Sequence, residues 1–150
     1  MAPDLIRRSL APDLNATGGA RRALHGLSGQ VDDDVLERGA LVVTEVVSNS
    51  VKHAGLTASQ RIDLNIAVLP ECLHIEVTDD GAGFDPTVTR PEPRSLRSGG
   101  WGLWMVDQLT DRWGVDFSHS TRVWCEFDLP TLRSPLRARV HRSLMAISGQ

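Results

Sequence analysis

Glu45-Val46-Val47-Ser48-Asn49-Ser50-Val51-Lys52-His53-Ala54 is the stretch whose reading decides the fold. Its valines favour a strand, but its polar residues recur at helical rather than alternating spacing, so it predicts a helix. Outward from it, the pattern runs back through Val42 and Leu41 to Asp34-x-x-Glu37, which has capping-box character. It ends near His53-Ala54-Gly55, with a glycine after the last turn. On such a helix Glu45 and Asn49 lie one turn apart and Lys52 one turn further, sharing a face. Val43, Val47, Ser50 and Ala54 point the other way, into a core.

The segments on either side predict a sheet against this helix. Arg61 to Val68 and Cys72 to Asp79 both alternate apolar and polar residues around a Pro70-Glu71 turn, the pattern of an antiparallel hairpin with one buried face. Trp101 to Arg112 reads as a helix, and Trp113 to Ser118 and Thr121 to Leu129 as strands; a shorter helix is expected over Ala20 to Leu27. Residues 1 to 15, broken by Pro3 and Pro12, read as extended or loose. Pro86 to Gly99, with three prolines and three arginines and no period, reads as a long loop of the kind usually functional or disordered. After Pro130, Ser134-Pro135 opens a basic amphipathic stretch with Leu136, Val140 and Leu144 on one side beside Arg137, Arg139 and Arg142. The expected organisation is an N-terminal extension over 1–11, a domain over 12–130 and a tail over 131–150.

Composition bounds what such a domain can do. The chain has 150 residues, is 41% hydrophobic and 23% charged, and carries a formal net charge of -3. That suits one globular domain, contains no apolar run of membrane-spanning length, and offers no basic stripe for nucleic acid. The N-terminus lacks the pattern of a signal peptide, so a cytoplasmic location is expected. Cys72 and Cys125, in predicted strands and without a partner at metal-ligand spacing, read as small core residues. Lys52 is the single lysine in the chain, which suggests a role for an ammonium group near Asn49; the alternative is chance placement on a solvated helix face.

Three short motifs carry candidate chemistry. Asn49 can offer its side-chain oxygen to a hard cation such as Mg2+, and Glu45 can serve as a general base on a hydroxyl attacking a γ-phosphorus. Asp79 ends a strand and is followed by Gly81 and Gly83, where missing Cβ atoms let backbone and ligand approach closely. A carboxylate there can accept a hydrogen bond from an exocyclic amine, which distinguishes adenine from guanine. Gly99-Gly100-x-Gly102 stands where the loop meets a helix, so free backbone N–H groups and the positive end of the helix dipole are available to phosphate. Taken singly, each is more often a solvated helix face or a turn than a site. No Walker-type Gly-x-x-x-x-Gly-Lys-Ser/Thr is present, so a nucleotide would be held by another architecture.

In this order and these contexts the motifs resemble the ATP-binding domain of the GHKL superfamily, named for gyrase, a heat-shock chaperone, histidine kinases and MutL. Glu45 to Ala54 is similar to its N box, Asp79 to Phe84 to its first glycine box, and Gly100-Trp101-Gly102-Leu103 to its second. Within the superfamily the chain most resembles stand-alone anti-sigma factor kinases of bacteria, particularly actinobacterial regulators. Asp111-Arg112-Trp113-Gly114 and Thr121-Arg122-Val123-Trp124 share that look, and the likeness covers roughly residues 12 to 130.

The resemblance implies an α+β, two-layer α/β sandwich of the Bergerat type, with a mixed, mostly antiparallel sheet, helices on one face, and ATP with Mg2+ as cofactors. It implies Glu45 as catalytic base, Asn49 as Mg2+ ligand and Asp79 as the adenine-binding carboxylate. Gly81, Gly83, Gly100, Gly102 and Leu103 would shape the pocket, Lys52 would contact phosphate, and Thr121 would support the adenine end. Arg90, Arg94 and Arg97 could reach the γ-phosphate or simply be solvated. Trp101 stands where relatives often carry a polar residue, and the tail extends past the usual end of the domain.

The implied function is Mg-ATP-dependent phosphorylation of a serine or threonine on an anti-anti-sigma partner of the STAS type. The alternative is a non-catalytic ATP-binding module that sequesters a sigma factor or another regulator. Relatives form homodimers, so a homodimer is expected, with no direct nucleic-acid or membrane partner. No phosphoacceptor helix or sensor precedes the domain in this sequence, so a complete histidine kinase is not expected.

Overall fold

Apolar residues on every second position of the strands and every third or fourth position of the helices meet in a single layer of core. The computed structural model describes residues 4–81 and 101–130. Their order is β1 (Asp4–Leu10), α1 (Ala16–His25), α2 (Asp33–His53), β2 (Ile62–Val68), β3 (Cys72–Asp79), α3 (Trp101–Leu109), β4 (Arg112–Asp116) and β5 (Thr121–Asp128). The strands form one sheet in the order β1-β2-β3-β5-β4. Every pairing is antiparallel, so the parallel component of a mixed sheet does not occur among these strands.

Helix α2 buries Val35, Leu36, Gly39, Val42, Val43, Val46, Val47 and Ser50, one stripe at the helical period. The strands answer with Ile62, Leu64 and Ile66 on β2, Leu73, Ile75 and Val77 on β3, and Val123, Cys125 and Phe127 on β5, all buried. Burial pushes the Cys125 thiol up to about 12, so it stays protonated as a small apolar core residue. The helices thus cover one face of the sheet, as an α+β sandwich requires.

The opposite face is polar and tied together by charge. Glu126 accepts from Arg112 Nε at 2.7 Å and lies 3.1 Å from His74 Nδ1, while His74 stacks on Trp124 with ring centroids 6.3 Å apart. The Arg112 hydrogen bond is the main reason the Glu126 carboxyl sits below its ordinary value. Gly114 on β4 makes room for this cluster, since a Cβ there would stand 2.7 Å from the Trp124 indole.

Three expectations shift. Residues 4–10, expected to be loose, form edge strand β1 and pair with β2 from Asp4↔Val68 to Leu10↔Ile62. The first helix starts at Ala16 rather than Ala20 and ends at His25. Helix α3 stops at Leu109, three residues early, because Asp111 N–H donates to the Glu126 carbonyl and Arg112 reaches Glu126 and Asp128, which draws both residues to the sheet. The tail over 131–150 lies outside the described residues.

Candidate functional site

A cleft opens between the last turns of α2 and the adjacent ends of β3 and β5, lined by Val46, Asn49, Ser50, His53, Ala54, Asp79, Leu103, Thr121 and Val123. Its position follows from the register. Asp79 is the last residue of β3 and pairs directly with Thr121, the first of β5, so both side chains emerge on the helix side of the sheet. Both are buried, Asp79 to 5% exposure and Thr121 to 4%. Helix α3 adds Leu103 from the other side.

The Asp79 carboxylate is held at both oxygens. Ser50 Oγ donates to Oδ2 at 2.6 Å, and the backbone N–H of Gly81 donates to Oδ1 at 2.9 Å. The first is a short, charge-assisted bond between buried groups, and the second closes a tight turn on the carboxylate. A carboxylate has about four acceptor positions, so the cleft side of Asp79 retains acceptor capacity for an amine donor. Gly81 is fixed as glycine by packing: a Cβ would collide with the Cβ and carbonyl oxygen of Ala54 and stand 2.8 Å from its Cα. The end of α2 is shaped for this approach. Ala54 caps the helix, its N–H bonded to the Ser50 carbonyl, and Gly55 turns the chain away at φ 66°, in the left-handed region.

The structure therefore brings Asn49, Asp79, Gly81, Leu103 and Thr121 together around one end of the sheet, with Asn49, Asp79, Leu103 and Thr121 on the cleft wall. Glu45 and Lys52 lie on the same helix but do not line the cleft. Glu45 is half-buried one turn before Asn49, and Lys52 is exposed. Gly102 falls in the first turn of α3. Gly83, Gly100, Arg90, Arg94 and Arg97 lie outside the described residues.

Sequence reasoning assigned Ser50 to the core and missed its bond to Asp79. It is buried as expected, but its hydroxyl is spent on Asp79. The available signal was a serine on an otherwise apolar stripe, which needs a buried acceptor. His53, Ala54, Val46 and Val123 were also not assigned to the cleft, and all four line it.

No group of three or more His, Cys, Asp or Glu among the described residues is placed to hold a metal ion. A cation here would take one or two protein oxygens and complete its shell with phosphate and water. Asn49 on the cleft wall fits that demand, which is the coordination habit of Mg2+.

The chain is similar to known proteins in sequence and in fold. Serine-protein kinase RsbW of Staphylococcus epidermidis is 32% identical, over 72% of this chain and 76% of its own length. The same-named protein of Listeria monocytogenes serotype 4a is 29% identical over 65% of each. Among solved structures, the RsbU and RsbW domains of Rv1364c from Mycobacterium tuberculosis superpose with a TM-score of 0.64 at 18% identity. That match covers 85% of this chain and 33% of that two-domain structure. The histidine kinase domain of Erythrobacter litoralis EL346 matches with a TM-score of 0.52 at 24% identity, over 76% of this chain and 59% of that one. The histidine kinase-like ATPase domain matches residues 10–124, from the end of β1 into β5 and across every wall of the cleft, and the chain is a member of that family.

Proposed function

We propose that the chain is an ATP-dependent serine/threonine-protein kinase that serves as an anti-sigma regulatory factor and phosphorylates an anti-anti-sigma partner of the STAS type in the cytoplasm. The observation that carries this reading is the buried Asp79 carboxylate, held by Ser50 and Gly81 in the same cleft wall as Asn49. The similarity to proteins named serine-protein kinase supports transfer to a serine.

In this reading the Asp79 carboxylate accepts the adenine amine, and Thr121 and Leu103 border the base. Asn49 holds Mg2+ through its side-chain oxygen, the ion neutralising phosphate charge when bound. Glu45 takes the proton of the partner's hydroxyl as its oxygen attacks the γ-phosphorus and the bond to the β-phosphate bridging oxygen breaks. Lys52 contacts phosphate from the end of α2, and Gly81, Gly83, Gly100 and Gly102 shape the pocket. A homodimer and a bound sigma factor belong to the same proposal, as they do to the family it resembles.

A second reading is favoured by one observation: Glu45 and Lys52, the two groups assigned to phosphate chemistry, stand off the cleft wall. The chain would then bind ATP as a conformational ligand and sequester its partner without transfer. Incubation with labelled ATP and the cognate partner separates the two. Phosphate transfer that is lost in Glu45→Ala supports the kinase, and nucleotide-dependent capture of a sigma factor without any transfer supports the binding module. Calorimetric titration with ATP and GTP tests the pocket itself: preference for GTP, or binding of neither, overturns both readings.

A further inference from the structure

Ser50 makes the shortest side-chain bond of the cleft, and nothing in the kinase reading assigns it a task. It follows Asn49 on α2, while the carboxylate it holds stands at the end of β3, so one bond of 2.6 Å joins the helix of the cleft to its sheet. Ser50 is 6% exposed and Asp79 5%. Water cannot replace that donor readily, and a buried carboxylate that loses one is free to rotate about its terminal torsion. Gly81 N–H fixes only Oδ1. Ser50 is what fixes Oδ2.

We infer that Ser50 is a positioning residue for base recognition: its hydroxyl locks the Asp79 carboxylate in the rotamer that aims a free lone pair into the cleft, and so sets the selectivity for a base with an exocyclic amine. This rests on the reading of Asp79 as the amine acceptor. The carboxylate is an acceptor on both oxygens and Ser50 supplies the donor, so the remaining acceptor site stays open to a donor from the ligand rather than to a carbonyl oxygen. The base chosen is thus one that donates at this position, as adenine does, and not one that accepts there, as guanine does.

The test compares ATP with purine riboside 5′-triphosphate, which lacks the amine, by calorimetry on the full chain and on Ser50→Ala. Wild type should prefer ATP. In Ser50→Ala, ATP should bind about tenfold more weakly while the amine-free analogue changes less than about twofold, the loss expected when a buried charged acceptor loses its donor. Ser50→Thr, which keeps a hydroxyl, should retain the preference. Ser50→Cys, a weak donor of similar size, makes the same comparison if the alanine variant does not fold. Equal weakening of both nucleotides would reduce Ser50 to a structural role and overturn the inference alone. A wild type that does not distinguish the two nucleotides would overturn the assignment of Asp79 as well.

Discussion

A methyl group at position 81 would meet the backbone of Ala54, so the close approach of β3 to the end of α2 is open only to glycine. Gly81→Ala should destabilise the fold by about 2 kcal/mol, in the range of overpacked cores, and weaken nucleotide binding by displacing the turn that donates to Asp79. Thermal unfolding reads the first effect, and an unchanged midpoint would contradict the clash. At this scale much of the site was legible. A strand-ending acid followed by two spaced glycines identified Asp79 and Gly81, because chemistry and missing Cβ atoms both leave a mark in sequence. The bond from Ser50 to Asp79 was not legible, since burial and hydrogen bonding to a residue 29 positions away look the same in sequence as ordinary core placement. His53 was missed for a related reason: which face of the last helical turn meets the cleft depends on the sheet, not on the helix.

Helix α2 is the element on which the cleft depends, and its N-cap is Asp32 rather than Asp34 of the expected capping pair. Asp32 is the N-cap, its carboxylate accepting from Asp34 N–H at 2.9 Å, and Asp33 and Asp34 add negative charge at the positive end of the helix. Asp32→Ala should cost about 1 kcal/mol in denaturant unfolding. A loss within error would show that packing of the buried stripe alone sets this end. The helix itself, the β2–β3 hairpin and the final strand pair were readable from periodicity, because each buries a single face. Strand β1 was not: its burial is exposed or half-exposed throughout, as befits an edge strand, and pairing through backbone hydrogen bonds leaves no apolar period. Helix α3 was drawn too long because the pull of Glu126 and Asp128 on Arg112 is a tertiary effect.

For the molecule as a whole, the polar face of the sheet makes stability depend on acid. Arg112 and His74 hold the Glu126 carboxyl below its ordinary value, so the unfolded chain takes up this proton at higher pH than the folded one. The stabilisation is present at neutral pH and is lost as pH falls through and below the ordinary glutamate range. Arg112→Ala should flatten that acid limb in urea unfolding between about pH 7 and about pH 3, and an unchanged slope would remove Glu126 from the account. The strand order described above also has a kinetic meaning. Only β2–β3 and β4–β5 are joined by short connections, whereas β1 pairs with residues more than fifty positions on, Leu10 with Ile62, and β3 waits for β5, Asp79 with Thr121. Closing long loops costs entropy before any contact rewards it, so such pairings form late. Truncations in the β2–β3 hairpin, such as Ile66→Val, should slow refolding, while those in β1, such as Ile6→Val, should chiefly speed unfolding. On that timetable the cleft is a late arrival: Asp79 meets Thr121 only when the two hairpins join, and the nascent chain lacks one wall of the cleft until β5 has been made.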